Sequence, residues 1–213
     1  PRCRPSRRSS PSGSYPLESL CTHTAKSGVQ MATLIGIAGS LRKASVNQSL
    51  LKTAAQLMPA GSSLELGTLE GIPLYNEDVE STAGIPAAVS RLQDQIAAGD
   101  GLIIATPEYN NAMPGVLKNA MDWLTRPPSE IGRVFKDRPV ALVGATPGGF
   151  GTVLAQISWL PVMRTLGVRL WTGGRMQVSK AGTVFDESGE MVDEDVRERL
   201  RVYMEGFVEF AAG

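Results

Sequence analysis

A short polar segment, residues 39–47, contains the residue types that could bind a phosphate or another anion. Its sequence is Gly-Ser-Leu-Arg-Lys-Ala-Ser-Val-Asn. Ser and Asn side chains donate hydrogen bonds to phosphate oxygens, and the forked guanidinium of Arg42 matches the geometry of these oxygens. Ser45 and Gln48 have the spacing of a capping box, which predicts that a helix begins here and directs its free amides at the anion.

This segment joins a predicted strand to a predicted helix, an arrangement that holds phosphate in many α/β proteins. The apolar run at residues 33–38 predicts a short buried strand. Gly36 and Gly39 do not supply the G-x-G-x-x-G pattern, so a dinucleotide fits the segment less well. A solvated turn with an N-capping serine is the alternative. The apolar residues at helical spacing are Val46, Leu50, Leu51, Ala54, Leu57 and Met58.

Two further loops follow predicted strands and have unusual compositions. Residues 106–110, Thr-Pro-Glu-Tyr-Asn, combine a turn-forming proline with an aromatic ring and an amide, and residues 147–151, Pro-Gly-Gly-Phe-Gly, permit close approach of backbone to a ligand. Alone, residues 106–110 are more typical of an ordinary proline-containing turn, and residues 147–151 are also typical of a flexible connection. Together with residues 39–47, they favour a site for a flat ring system that carries a phosphate.

The elements that position these loops alternate between strand and helix. Strands are predicted at residues 33–38, 63–67, 100–106 and 139–145, and a fifth, interrupted strand at 168–178. This alternation predicts an α/β fold with three layers, α/β/α, around a doubly wound, five-stranded parallel sheet. The flavodoxin-like order 2-1-3-4-5 is one arrangement of such a sheet. Right-handed crossovers would bring all three loops to one edge of the sheet, beside the switch point between strands one and three.

The predicted helices lie between these strands. After the first helix, residues 72–76 are expected to form an extended loop, and Gly84 with Pro86 opens the next helix. A helix at about 152–166 contains Pro161, which predicts a kink or an early break. Asp193 is expected to cap the last helix.

Residues 1–30 differ in composition from the rest of the 213-residue chain. They are rich in Arg, Ser and Pro without apolar periodicity, so we expect a disordered tail. We interpret Met31 as the native start and the tail as non-native, with a targeting-like extension as the alternative. One folded domain is then expected at residues 31–213, which carry 16 Lys and Arg against 20 Asp and Glu, a net charge of −4.

All cysteine and histidine residues, Cys3, Cys21 and His23, lie in the predicted tail. The predicted domain therefore lacks a thiol nucleophile, a Cys or His metal site and a Ser-His-Asp triad. No apolar run is long enough to span a bilayer, and the balanced charge does not suggest nucleic acid as a partner. We expect a cytoplasmic protein without a metal site.

Several motifs, in this order and spacing, resemble the NADPH-dependent FMN reductase family and especially its quinone and chromate reductases. The resemblance runs from Met31 to the last helix. The motifs are Gly39-Ser40-Leu41-Arg42-x-x-Ser45-x-Asn47, Leu74-Tyr75-Asn76, Pro107-Glu108-Tyr109-Asn110, residues 114–123 and Gly148-Gly149-x-Gly151.

The resemblance implies a flavodoxin-like fold with strand order 2-1-3-4-5 and a bound FMN, with NADPH or NADH as co-substrate. Because the flavin carries the chemistry, no side chain is predicted to be catalytic. Tyr75 and Phe150 are predicted near the substrate; Tyr75 either reaches the site of a partner subunit or is an ordinary surface aromatic. The residues implied to bind FMN are Ser40, Arg42, Ser45, Val46 and Asn47 near the phosphate, Pro107, Glu108, Tyr109 and Asn110 along the isoalloxazine, and Pro147, Gly148 and Gly149 on its other side.

The function that follows is an FMN-dependent NAD(P)H oxidoreductase, which passes electrons to a quinone or a similar small-molecule acceptor such as an azo dye or chromate. The alternatives are a one-electron flavodoxin-like carrier and a non-catalytic FMN-binding module. The modest charge of −4 and the presence of Arg42 argue against the carrier. The family also implies a homodimer or homotetramer, for which residues 114–123 are a candidate surface; packing within the chain would explain their apolar stripe as well.

Overall fold

The computed structural model describes residues 31–213, so the predictions made for residues 1–30 lie outside the described residues. The chain forms a parallel sheet of order β2-β1-β3-β4-β5. This confirms the predicted doubly wound order 2-1-3-4-5. β5 pairs with the first residues of β4, and β6 pairs with its last residues. The strands are β1 (Thr33–Ala38), β2 (Ser63–Gly67), β3 (Gly101–Ala105), β4 (Pro139–Ala145), β5 (Arg169–Leu170) and β6 (Met176–Val178).

Helices cover both faces of the sheet, and five of them were predicted. Those five are α1 (Val46–Gln56), α3 (Ala87–Ala98), α4 (Gly115–Leu124), α6 (Val153–Leu166) and α8 (Glu194–Ala212). The short helices α2 (Glu77–Ala83), α5 (Glu130–Val134) and α7 (Ala181–Val184) were not. A local signal existed for α2, because the Asn76 side chain accepts a hydrogen bond from Asp78 N and acidic residues fill the first turn.

Alternate residues of the central strands face two separate apolar layers. Ile103 packs in the layer formed with α1 and α8, whereas its neighbours Leu102 and Ile104 pack in the layer formed with α3, α4 and α6. β3 and β4 are buried along their whole length, as expected for parallel strands covered on both faces. Residues 31–213 contain no helix that combines the length and apolar character needed to cross a membrane.

Pro161 does not end α6, so the early break, one of the two predicted alternatives, is wrong; the kink stays a prediction. The helix continues through Pro161 to Leu166 and ends at Gly167, whose φ of 68° is left-handed. A proline removes only one intrahelical hydrogen bond, and Trp159 and Met163 on either side of it are buried in the core. Tertiary packing therefore outweighs the local preference.

The interruption of the fifth strand is confirmed, because β5 and β6 both pair with β4 and are separated by Gly173-Gly174. The Trp171 side chain occupies the space beside these glycines. A Cβ at Gly173 would lie only 2.7 Å from Trp171 Nε1, so a larger residue there would displace the indole.

Candidate functional site

A cavity of about 230 Å³ opens at the carboxyl edge of the sheet. Three loops form its walls: the β1 loop (residues 39–45), the β3 loop (residues 106–114) and the β4 loop (residues 146–152). We refer to it as the first cavity. Its lining residues are Ser40, Arg42, Ser45, Val46, Asn47, Pro107, Glu108, Tyr109, Ala145, Thr146 and Pro147.

The β1 loop ends in a helix N-terminus that faces the first cavity. Ser45 caps α1, because its Oγ accepts a hydrogen bond from Gln48 N at 3.4 Å. The first amides of a helix have no intrahelical acceptor, so those of Val46 and Asn47 can donate to an anion. Arg42 is exposed at the same loop and adds a positive charge. This wall has the chemistry of a phosphate site.

Asn47 links this helix to the central sheet. Its side-chain Nδ2 donates to Ala145 O at 2.9 Å, and its Oδ1 accepts from Ala145 N at 2.9 Å. The side chain is almost completely buried. It therefore holds the start of α1 against the end of β4, a role that its place in the loop motif did not reveal.

Gly39 allows the β1 loop to pack directly on the β3 loop. A Cβ at this position would lie 2.9 Å from Pro107 Cδ and 2.7 Å from Leu117 Cδ2 of α4. Gly39 N also donates to Ala105 O at 2.9 Å. Only glycine permits this approach, and the two loops thereby form adjoining walls of one cavity.

The β3 loop is fastened to α6. The Glu108 carboxylate lies at the N-terminus of this helix, where the helix dipole favours negative charge and the amides lack other acceptors. Glu108 therefore turns its charge toward α6 although it lines the first cavity. The bonds between the loop and the helix are Ala155 N to Glu108 Oε2 at 3.0 Å, Trp159 Nε1 to Thr106 Oγ1 at 3.1 Å and Met113 N to Ser158 Oγ at 3.0 Å.

Tyr109 begins a tight turn at the mouth of the first cavity. Its backbone N and O pair with those of Ala112 at 3.1 Å, while Asn110 and Asn111 have φ values of 52° and 62°. Two successive positive φ values define the turn, and the Asn-Asn pair could have predicted it. The Tyr109 side chain is 52% exposed. Asn110 lies outside the cavity lining.

Gly148 and Gly149 of the β4 loop do not line the first cavity, although Pro147 beside them does. A Cβ at Gly149 would meet no atom within 4 Å, so the chain's own packing does not require glycine there. Phe150 is 86% exposed. Gly148 O accepts from Lys180 N at 2.9 Å, which ties the loop to the residue preceding α7.

Tyr75 lies away from the first cavity, against α4 of its own chain. Its ring meets Trp123 edge to face with centroids 5.0 Å apart, and its backbone N donates to Asn119 Oδ1 at 2.8 Å. Its hydroxyl donates to Glu80 Oε2, and Glu80 also accepts from Arg126 Nε at 2.8 Å. Within one chain, Tyr75 therefore contacts the ion pair of Glu80 and Arg126 and does not line the first cavity.

A parallel sheet of order 2-1-3-4-5, with a helix N-terminus suited to phosphate and a cavity at its switch point, defines a flavodoxin-like protein. Residues 32–183 match the family model described as NADPH-dependent FMN reductase, and the chain belongs to this family. The predicted enzyme class is therefore confirmed: the chain is an FMN-dependent NAD(P)H oxidoreductase.

Relatives from several bacteria are similar over most of their length. A Pseudomonas aeruginosa protein named NAD(P)H-dependent FMN reductase is 44% identical over 168 residues, covering 79% of this chain and 89% of the relative. A 2-hydroxy-1,4-benzoquinone reductase of a Burkholderia species is 37% identical over 171 residues, covering 80% of this chain and 91% of the relative. The solved structure of FerB, a flavoenzyme NAD(P)H:(acceptor) oxidoreductase from Paracoccus denitrificans, has 31% identity and a TM-score of 0.75, covering 84% and 97% of the two chains.

Proposed function

We propose that the first cavity binds FMN, with the phosphate at the N-terminus of α1 and the ring between the β3 and β4 loops. The observation that carries this proposal is the convergence, in one cavity, of a helix start, an exposed arginine and a tyrosine. The residues proposed to contact FMN are Ser40, Arg42, Ser45, Val46, Asn47, Pro107, Glu108, Tyr109, Asn110, Pro147, Gly148 and Gly149.

Bound FMN supplies the chemistry of accepting a hydride from NAD(P)H and passing the electrons to an acceptor. The chain's residues bind and orient the reactants. The helix amides and Arg42 offset the phosphate charge, and the hydrogen bonds from α6 hold the β3 loop against this helix. The open space at Gly149 lets a flat ring approach the backbone. No side chain is assigned as an acid or base.

The proposed acceptor is a quinone, with azo dyes and chromate as further acceptors. The Burkholderia relative is named for a benzoquinone, and the exposed Tyr109 at the cavity mouth suits a flat aromatic substrate. The test is anaerobic reduction of the purified yellow protein by NADH and NADPH, followed by steady-state turnover with a panel of quinones. Protein that takes up no FMN, or that bleaches without quinone turnover, would refute the proposal.

We also propose a homodimer or homotetramer whose contact surface includes α6. Leu154, Ile157 and Leu160 of α6 are exposed, whereas the apolar stripe of α4 packs within its own chain. This shifts the candidate surface from residues 114–123 toward α6. Phe150 and Tyr75 remain proposed as residues near the substrate, Tyr75 across the contact between subunits.

Residues 31–213 are proposed to be the functional domain, and the cytoplasm, where NAD(P)H is available, is the proposed location. Activity of a protein beginning at Met31, together with cell fractionation, would test both points.

A further inference from the structure

A second cavity, of about 260 Å³, lies on the other side of the β1 loop. It is bounded by α1 and by the turn that follows β2. Ser40 and Arg42 line both cavities, so the β1 loop is their common wall. The second cavity belongs to the same edge of the sheet, although no residue of the β3 or β4 loop lines it.

The second cavity is lined by three cations, Arg42, Lys43 and Lys52, and one carboxylate, Glu70. In the described part of the chain none of these cations takes part in an ion pair. Residues 31–213 carry a net charge of −4, so this concentration of positive charge runs against the overall balance. Gln48, one helical turn before Lys52, adds an amide donor on the same face of α1.

These groups match a phosphate monoester. Lysine ammonium groups act as compact point charges toward phosphate, and a monoester carries close to two negative charges at neutral pH. The first cavity already offers a helix N-terminus for the phosphate of FMN. The second cavity is therefore a separate place for a phosphate that belongs to another reactant.

We propose that the second cavity binds the 2′-phosphate of NADPH and gives the enzyme its preference for NADPH over NADH. The inference rests on the function proposed above, because it requires a nicotinamide nucleotide to deliver its hydride at the first cavity. Since the two cavities adjoin across Ser40 and Arg42, the adenosine end of the nucleotide extends over the β1 loop. The 2′-phosphate is the only group by which NADPH differs from NADH.

Arg175 is the competing cation for this role. It lines a groove of about 510 Å³ between α6 and the strands β5 and β6, where it is the only charged residue. That groove adjoins the exposed residues Ile157 and Leu160 of α6, which we assign to the subunit contact. Lys43 and Lys52 line the second cavity and not the first, so two cations remain there for a dianion after Arg42 is assigned to FMN, against one in the groove of Arg175.

The test compares kcat/KM for NADPH and NADH at a fixed quinone concentration, using FMN-loaded enzyme. The variants are Lys52→Ala and the double variant Lys43→Ala/Lys52→Ala. The matched control is Lys136→Ala, because Lys136 is exposed just before β4 and thus lies at the opposite edge of the sheet.

Wild-type enzyme is expected to prefer NADPH, and the double variant to lose roughly ten-fold or more in kcat/KM for NADPH, mainly through KM. Its kcat/KM for NADH, and both values of the control, should stay within about two-fold, because salt screens distant charges. An equal loss for both nucleotides, no loss for NADPH, or a wild-type enzyme without NADPH preference would overturn the proposal.

Inhibition by nucleotides identifies the source of the phosphate. We expect 2′-AMP to compete with NADPH in the wild-type enzyme and to lose potency in the double variant, while 5′-AMP inhibits weakly in both. Inorganic phosphate inhibiting as strongly as 2′-AMP would indicate a general anion site and overturn the assignment. If the double variant keeps its FMN, oxidises NADH and has the same preference between NADPH and NADH as the wild type, only this subsite is refuted. A wild-type protein that oxidises neither nucleotide would refute the proposed function as well.

Discussion

The side chain of Asn47 pairs in both directions with the backbone of Ala145, donating to its carbonyl and accepting from its amide at 2.9 Å each. The pair joins the first turn of α1 to the last residue of β4. This pair therefore links two walls of the first cavity, because the β1 loop leads into α1 and the β4 loop follows β4.

Asn47→Ala should lower the free energy of unfolding by about 2–4 kcal/mol, because it leaves the buried N–H and C=O of Ala145 without partners. FMN affinity should fall as well, since the start of α1 is released from β4. Denaturant unfolding of the apoprotein and flavin titration measure the two effects. Gln56→Ala, an exposed position near the end of α1, is the control. Stability equal to the control would show that the pair contributes little.

Arg42→Ala should weaken FMN binding roughly ten-fold or more while changing stability little, because an exposed guanidinium contributes mainly to the bound phosphate. Flavin content after purification and the Kd for FMN measure this effect. Arg199→Ala removes an exposed arginine on α8 and should leave both values unchanged. Flavin content in the Arg42 variant equal to that of the wild type would contradict its role at the phosphate.

Glu80 should make stability depend on pH. Its hydrogen bond with Arg126, the largest cause, lowers the pKa of Glu80 from 4.5. Since the folded pKa is below the unfolded one, the stabilisation is present above the unfolded pKa and is lost as pH falls through the folded pKa. The stability difference between wild type and Glu80→Gln should therefore be larger at pH 7 than in acid.

Glu77→Gln is the matched control for this measurement, because Glu77 lies on the same helix and takes part in none of the described ion pairs. Its stability difference should change little with pH. A Glu80→Gln difference that is equally large in acid would rule out the carboxylate charge as its origin.

Ile157→Glu should dissociate the proposed oligomer, because it places a charge on the exposed apolar face of α6. Light scattering of the eluted protein measures the mass. Ile157 is 53% exposed, and Val202→Glu alters a 54% exposed apolar residue on α8, so the two substitutions are matched in burial. Equal masses for both variants and the wild type would exclude α6 as the contact surface.

The bounds of β1, β2 and β4 in the structure agree with the sequence prediction. Buried parallel strands are continuous apolar runs between turn residues, and that pattern is local. Helices α2, α5 and α7 were missed because segments of 4–7 residues carry too little periodicity to be recognised. The bounds of α6 were predicted to within one residue, but the early break offered as one outcome of Pro161 does not occur, because core packing outweighs the local cost of the proline.

Residue types and their spacing were sufficient to predict the alternation of strands and helices and the loops of the first cavity, because each signal lies within one short segment. The motifs in those segments carried the resemblance to the enzyme family, and the resemblance implied the order of the sheet. The partners of those residues could not be predicted. Asn47 meets Ala145 across 98 positions, and Glu108 meets Ala155 across 47. Likewise, periodicity shows that α4 and α6 have apolar faces. It does not show which of these faces is buried within the chain and which stays exposed. Such pairings depend on how distant segments pack together, and that packing is a property of the folded chain as a whole.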